Sequence, residues 1–251
     1  MLQLTGLVLA LLLLWPISSF AAIGSVEKKT GPADLFRSKE KIPVEKNTGV
    51  EMNDDIRTGN GVVGIGFDDK TKVQIERHSK LIIDDFVYDS REPTTSRLGL
   101  KVALGTVKYA SGLIAKNNRQ AVSISTPTAR IGVLGTAFSM TVDEIGKSLI
   151  ILLPNADGSV GKISVESDVG QVILNQAFQA TMVSTIETPP TGAVVINNLT
   201  TSMIDNMFIV SPPQEVKQAV EEQVRDDMND DQGILDVDFL EFNELEGDID
   251  T

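Results

Sequence analysis

From Val62 onward, apolar and polar residues alternate with a period of two, the pattern of strands that bury one face. Val73 and Ile75 alternate in this way, as do Leu98, Leu100 and Val102, then Val107 and Tyr109, then Val122 and Ile124. Phe138, Met140 and Val142 follow, then Ile150 with Leu152, Ile163 with Val165, and Val172 with Leu174. Turn residues punctuate these runs: Asp68-Asp69-Lys70, Ala110-Ser111-Gly112, Asn155-Ala156-Asp157-Gly158 and Asp168-Val169-Gly170. Strands of about five residues recurring every eight to twelve leave no room for crossover helices, which excludes a parallel α/β sheet. The pattern predicts an all-β fold: an antiparallel sandwich, a twisted β-roll or a short β-solenoid-like stack of short strands.

The ends of the chain read differently. Residues 23–49 form a polar, mixed lead-in with short strands expected near Leu35-Phe36, and a further one near Val50-Met52 opens the β domain of residues 50–200. Helix signals come late. Ser211-Pro212-Pro213-Gln214 supplies a cap residue, prolines in the first turn and Gln at the third helical position. Val216, Val220 and Val224, with Ala219 beside them, then form a narrow apolar stripe, so residues 201–229 are expected to hold a C-terminal helix. In the acidic tail, residues 230–251, Leu235, Leu240 and Leu245 recur every fifth position, each followed by Asp or Glu. Three copies are too few to wind a coil alone, so a flexible tail is expected.

The N-terminus predicts export. Leu7 to Trp15 is apolar, Pro16 follows, and small residues lead to Ala21-Ala22, so residues 1–22 are read as a signal peptide cut near Ala21. No Lys or Arg precedes the apolar run, and its length approaches the ~20 residues of a spanning helix. The expected location is therefore periplasmic or secreted, with an N-terminal anchor in the inner membrane as the alternative. No other segment is long and apolar enough to span, so the mature chain is expected to lack a membrane span.

Charge sharpens the division. The 251 residues carry a net charge of −13, and Pro213 to Thr251 hold 14 acidic and 2 basic residues. The body is thus nearly neutral. It lacks the basic face that nucleic-acid binding needs to neutralise phosphates. With 0 cysteines, disulfides and thiolate metal sites are excluded, and the single histidine excludes a multi-His site.

Individual motifs thin out under context. Gly59-Asn60-Gly61-Val62-Val63-Gly64 matches a dinucleotide-binding string, but polar Asn53-Asp54-Asp55 precedes it and β-patterned residues follow. That fingerprint needs a strand before and a helix after, so these glycines read as turn and close-packing residues. His78 lies in a polar connection between strands and reads as a turn residue rather than a catalytic base. Asp226, Asp227, Asp230, Asp231 and Gly233 suggest a calcium loop, but the alignment puts Met228 and Phe239 at ligand positions, so an EF-hand fails. Asn198-Leu199-Thr200 is a glycosylation triplet by pattern only. No catalytic residue and no cofactor are indicated, and no spacing singles out a carboxylate pair for acid/base hydrolysis.

The most informative stretch is Ser125-Thr126-Pro127-Thr128-Ala129-Arg130-Ile131-Gly132-Val133-Leu134-Gly135-Thr136-Ala137-Phe138. Pro127 ends a strand, Ala129 and Gly132 permit close backbone approach, and Gly135 marks a turn or bulge before alternation resumes at Phe138. The physical reading is a corner between stacked strands. The stretch also resembles the signature of the FecR family, at Thr126, Pro127, Ala129, Ile131, Gly132, Gly135, Thr136 and Phe138. Asp54-Asp55-Ile56-Arg57-Thr58-Gly59, Gly64 to Ile75, Ser79-Lys80-Leu81, Phe86-Val87-Tyr88-Asp89 and Gly105-Thr106-Val107 with Ser111-Gly112 are similar to further parts of it, in order. Leu134 stands where the family usually has Arg, and Asp69-Lys70-Thr71 replaces its Gly-Ser turn.

Well-known members of that family join a cytoplasmic sigma-factor-binding segment to a periplasmic domain and regulate iron-uptake transcription. In this chain the export signal comes first, so the resemblance implies the exported β domain rather than the signalling segment. The expected function is a non-enzymatic module that binds a protein partner or a cell-envelope component. The alternatives are a carbohydrate- or peptidoglycan-binding module, disfavoured because the one Trp is Trp15 in the signal, and a remnant of an iron-uptake-type regulator.

Overall fold

A computed structural model describes residues 21–118, 120–197 and 199, with isolated helical positions at Met203, Gln218, Glu222 and Arg225. Its strands are β1 (Gly24–Thr30), β2 (Ala33–Arg37), β3 (Glu40–Pro43), β4 (Gly49–Val50), β5 (Asp55–Thr58), β6 (Val62–Phe67), β7 (Lys72–Ile75), β8 (Lys80–Val87) and β9 (Arg97–Ala110). A short helix, α1 (Leu113–Asn117), separates these from β10 (Val122–Ser125), β11 (Arg130–Leu134), β12 (Ala137–Val142), β13 (Ser148–Leu153), β14 (Lys162–Glu166), β15 (Gln171–Leu174), β16 (Gln179–Val183) and β17 (Val194–Val195). The described fold is all-β.

The strands form two sheets that share β9. The first runs β4-β1-β6-β7-β9-β12-β13-β16-β17. The second runs β3-β2-β5-β8-β9-β10-β11-β14-β15. Every pair is antiparallel except β9 with β10. After β9, hairpins alternate between the sheets: β10–β11 and β14–β15 in the second, β12–β13 and β16–β17 in the first. That alternation is why the sequence shows short strands at even spacing. The lead-in residues are built into both sheets, because β1 pairs with β6 and β2 with β5.

Side chains from both sheets share one buried cluster, from Val26, Leu35 and Ile56 to Ile163, Val165 and Leu174. Aromatic pairs lie within it: Phe67 with Phe86, centroids 5.5 Å apart, and Tyr109 with Phe138 at 5.2 Å. Aromatic pairs at this separation add modestly to their area burial.

Two expectations need correction. Leu98–Val102 and Val107–Tyr109, read as separate short strands, form one strand of 14 residues. Its first part pairs with β8 and β10, and its last part pairs with β7 and β12. The switch occurs at Gly105, where φ is +77° and a Cβ would stand 2.6 Å from Ser79 Cα. Only glycine meets both demands there. The side chain of Ser79 accepts a hydrogen bond from Thr106 N at 2.9 Å and so clamps the switch.

The second correction concerns the segment after Ser111-Gly112, since helix signals were expected only late in the chain. It leads into α1, an early helix, and the reason is Asp69. This residue is fully buried; its carbonyl accepts Leu113 N at 2.7 Å and its Oδ2 accepts Ile114 N at 3.2 Å. Oδ2 also accepts the Thr71 hydroxyl, and Oδ1 accepts Thr71 N. The Asp69-Lys70-Thr71 turn thus caps a helix more than forty residues away, a partner that local sequence does not show. The expected C-terminal helix lies outside the described residues apart from the isolated positions named above.

Candidate functional site

The stretch that carries the family resemblance builds one end of the stack. Thr126 to Ala129 close the β10–β11 hairpin, with Thr126 N donating to Ala129 O at 2.9 Å. The Thr126 hydroxyl oxygen accepts Ala129 N at 3.0 Å and Thr128 N at 3.3 Å, which fixes the turn locally. Pro127 sits at its exposed tip. The nearly buried Thr128 hydroxyl lies 2.7 Å from Ser148 Oγ and donates toward the carbonyls of Gly146 (3.0 Å) and Val183 (3.3 Å). Ser148 Oγ in turn lies 2.6 Å from Thr126 Oγ1. Three hydroxyls therefore lock the turn onto the next hairpin, where their lone pairs and protons find partners away from water.

The remaining motif residues are equally occupied. Ala129, Ile131 and Phe138 are buried in the core. Gly132 opposes Ser164 across the β11–β14 pair, and a Cβ there would stand 2.6 Å from Ser164 Oγ. At Gly135 (φ +62°) the chain leaves the second sheet for the first. Buried Thr136 pins that passage: its N donates to Ser111 Oγ at 3.0 Å, its carbonyl accepts the Ser111 hydroxyl at 2.9 Å, and its own hydroxyl oxygen accepts Gly161 N at 3.1 Å. Leu134 is half-buried on β11.

At this end apolar side chains stand exposed beside charged ones, Arg130, Glu144 and Asp168. Ile145, in the β12–β13 turn, is 76% exposed, and Val169, in the β14–β15 turn, is 59% exposed. The Asp143 carboxylate accepts the backbone N–H groups of Ile145 (3.0 Å) and Lys147 (2.8 Å), and this holds the Ile145 turn in shape. Gly146 packs against Pro127, where a Cβ would be 3.1 Å from the ring. Arg130 Nη2 meets Asp168 Oδ1 at 2.7 Å and ties the Val169 turn to the same hairpin. Asp168 N donates to Ile186 O at 2.9 Å, bringing the segment after β16 alongside. Pro127, Ile145 and Val169 thus stand on tips of neighbouring turns that are hydrogen-bonded or packed together.

The chemistry-bearing candidates lie elsewhere and are not gathered. Gly59 and Gly61 lie at the β5–β6 turn, and a Cβ on Gly61 would fall 2.6 Å from Pro32 O; β6, not a helix, follows. These are close-packing glycines. His78 occupies the β7–β8 turn with φ +53°, and its Nε2 lies 2.8 Å from Asn60 Oδ1 at an exposed position. Burial pushes the Tyr109 phenol well above its ordinary pKa, so it stays neutral at physiological pH. Among the described residues, no three His, Asp or Glu side chains are grouped to hold a metal ion. The aspartates of the suggested calcium loop, and Asn198, lie outside the described residues.

Sequence reading missed Asp143, Ser148 and the exposed pair Ile145 and Val169. Asp143 carries a readable signal, since an Asp followed by a glycine-bearing segment often closes a hairpin through its carboxylate. The pairing of Ser148 with Thr128 spans different hairpins and has no local signature.

A family described as FecR protein matches residues 54–176. The search of curated proteins gives no match. Two crystal structures of a “putative anti-sigma factor” from Parabacteroides distasonis ATCC 8503, at 1.65 and 2.50 Å, superpose with TM-scores of 0.40 and 0.41 at 12% and 13% identity. Each alignment covers 54% of this chain and 57% of the other, so the chain spans little more than half of those proteins. Among the described residues, no helix is long and apolar enough to cross a membrane.

Proposed function

We propose that this chain, whose residues 54–176 match the FecR protein family, works as a non-enzymatic, exported protein-binding module. The observation that carries the reading is the turn face of Pro127, Ile145 and Val169. Large apolar side chains held out by built turns lose solvation free energy that a partner surface recovers. The polar groups beneath them are spent on the fold, with hydroxyls and carboxylates bonded to backbone and to one another. A protein partner with an apolar patch suits such a face better than a polar ligand does. Export follows from the apolar leader at Leu7 to Trp15 and the small residues before Ile23.

Pull-down with the full chain from envelope extracts of its host tests the reading. The same partner should be lost with an Ile145→Asp/Val169→Asp variant and kept with Leu113→Asp, which alters a different surface. Equal capture by both variants, or a strictly monomeric chain that retains nothing, overturns it. N-terminal sequencing of the cell-derived protein tests export: a start near Ala22 or Ile23 agrees, and an intact Met1 in the soluble cytoplasm does not.

A further inference from the structure

A sheet edge presents backbone hydrogen-bonding groups that no neighbour uses. Among the described residues the two sheets end on β4 and β17 in the first and on β3 and β15 in the second. β4 and β17 are two residues long, too short to template another strand. β3, Glu40-Lys41-Ile42-Pro43, carries charges and a proline, which guard an edge against pairing. β15, Gln171-Val172-Ile173-Leu174, has neither. No residue from Val169 to Ile186 is charged.

The register of β15 fixes which of its backbone groups are spent. Ser167 N donates to Gly170 O at 2.9 Å across the β14–β15 turn. Antiparallel ladders alternate bonded and non-bonded pairs. Val165 with Val172 and Ile163 with Leu174 therefore exchange hydrogen bonds, while Glu166 with Gln171 and Ser164 with Ile173 do not. On β14, Glu166 and Ser164 turn their backbone groups to Arg130 and Gly132 of β11. On β15, Gln171 and Ile173 have no such strand among the described residues, so the N–H and C=O groups of both point outward. The open stretch stops at Asn175 and Gln176, whose N–H groups are accepted by Gln179 Oε1 at 2.8 and 2.9 Å.

An apolar side chain stands over this edge. Ile173 is 41% exposed, and its cross-strand neighbour is the small Ser164. The strand begins at the turn that holds out Val169, so the edge continues the turn face of Pro127, Ile145 and Val169.

Area decides between occupants. Pairing β15 with its own copy would join only four residues of each chain. That falls well short of the ~800 Å² per partner of a stable interface. A peptide needs no such area, because main-chain hydrogen bonds carry strand addition. A charged peptide finds no counter-ion here, since Asp168 is already held by Arg130.

We propose that the partner binds by strand addition: an extended, uncharged segment of it pairs with Gln171 and Ile173. Its alternate side chains are apolar, one lies over Ile173, and the segment runs on toward Val169. The proposal rests on the protein-binding reading and supplies the mode of contact.

The probe is a soluble, labelled peptide of alternating valine and threonine, added to the full chain. It should slow amide exchange at Gln171 and Ile173 several-fold and leave the amides of β3 unchanged. The same peptide methylated on alternate backbone nitrogens should not, which tests the ladder without altering the protein. Ile173→Pro removes an outward N–H that β14 does not use, and Ile173→Lys adds a guarding charge. Both should lose the peptide, and Ile173→Val should keep it. No binding at millimolar peptide, protection confined to other strands, or full binding by Ile173→Lys overturns the proposal. So does a dimer that Ile173→Lys dissolves, which would put a second copy on the edge. The two readings fail separately. An envelope partner lost with Ile145→Asp/Val169→Asp but kept with Ile173→Lys removes strand addition alone. Absence of any envelope partner removes the protein-binding reading, while peptide protection at Gln171 and Ile173 still upholds the edge.

Discussion

Arg37 grips Asp54 with two parallel hydrogen bonds, Nε to Oδ1 at 2.8 Å and Nη2 to Oδ2 at 2.7 Å. The same guanidinium reaches Glu51 at 2.6 Å and the Gly49 carbonyl at 2.9 Å, while Asp54 Oδ2 accepts Glu51 N at 2.7 Å. Asp54 is fully buried and Arg37 is partly exposed. The hydrogen bonds it donates to Asp54 raise the guanidinium pKa above its ordinary value against the opposing effect of burial. The pair ties β2 of the lead-in to the turn that precedes β5. Arg37→Ala should therefore cost about 3–5 kcal/mol, because it leaves a buried carboxylate uncompensated. Urea denaturation checks this, and replacing both partners by apolar residues should recover part of the loss.

The turn hydroxyls predict a smaller loss. Thr128→Val keeps the shape but leaves Ser148 Oγ and the carbonyls of Gly146 and Val183 without that donor. The expected cost is about 1–3 kcal/mol, read from the shift in denaturant midpoint. Thr128→Ser should retain most of the stability.

Two glycines with positive φ should respond differently to alanine. At Gly135 no atom lies within 4 Å of a Cβ, so Gly135→Ala should cost only the left-handed backbone strain, about 1–2 kcal/mol. At Gly105 the Cβ would also meet Ser79 and the His78 carbonyl. Gly105→Ala should cost distinctly more, and it should disturb the amide resonances of both sheets rather than one.

Acid should weaken the fold through Asp55, Asp89 and Asp157. Burial pushes the Asp55 carboxyl up, but the hydrogen bond from Arg57 and the nearby Lys80 charge outweigh it and leave the pKa below the ordinary value. Asp89 is lowered by hydrogen bonds from the Arg91 side chain and backbone, and Asp157 by those from the Ser159 hydroxyl and backbone. A carboxyl depressed in the folded state stabilises it above the unfolded pKa, near 4, and loses that contribution as pH falls through the folded value. Stability should therefore be flat near neutrality and decline below about pH 4. Asp55→Asn should flatten part of that decline in urea titrations at stepped pH.

The strands were readable because each buries one face, and alternation at Val122–Ile124 or Phe138–Val142 records that directly. The joining of Leu98–Val102 to Val107–Tyr109 was not, because Gly105 has the local look of a break while the hydrogen bonds continue through it. The helix α1 was missed because its stabilising carboxylate, Asp69, comes from a distant turn. At the turn face, the motif from Thr126 to Phe138 was legible as a corner. Its neighbours Ile145 and Val169 were not, since they are single apolar residues in turns and gain meaning only when the hairpins stand side by side.

The 14-residue strand β9 has a consequence for assembly of the fold. It supplies hydrogen-bonding edges to β7 and β8, made before it, and to β10 and β12, made after it. During synthesis the earlier half can therefore close as soon as Ala110 emerges, while the same strand waits as the template on which the later hairpins register. Damage to that one segment would leave both halves without a seam, so the two cannot evolve or unfold as independent units.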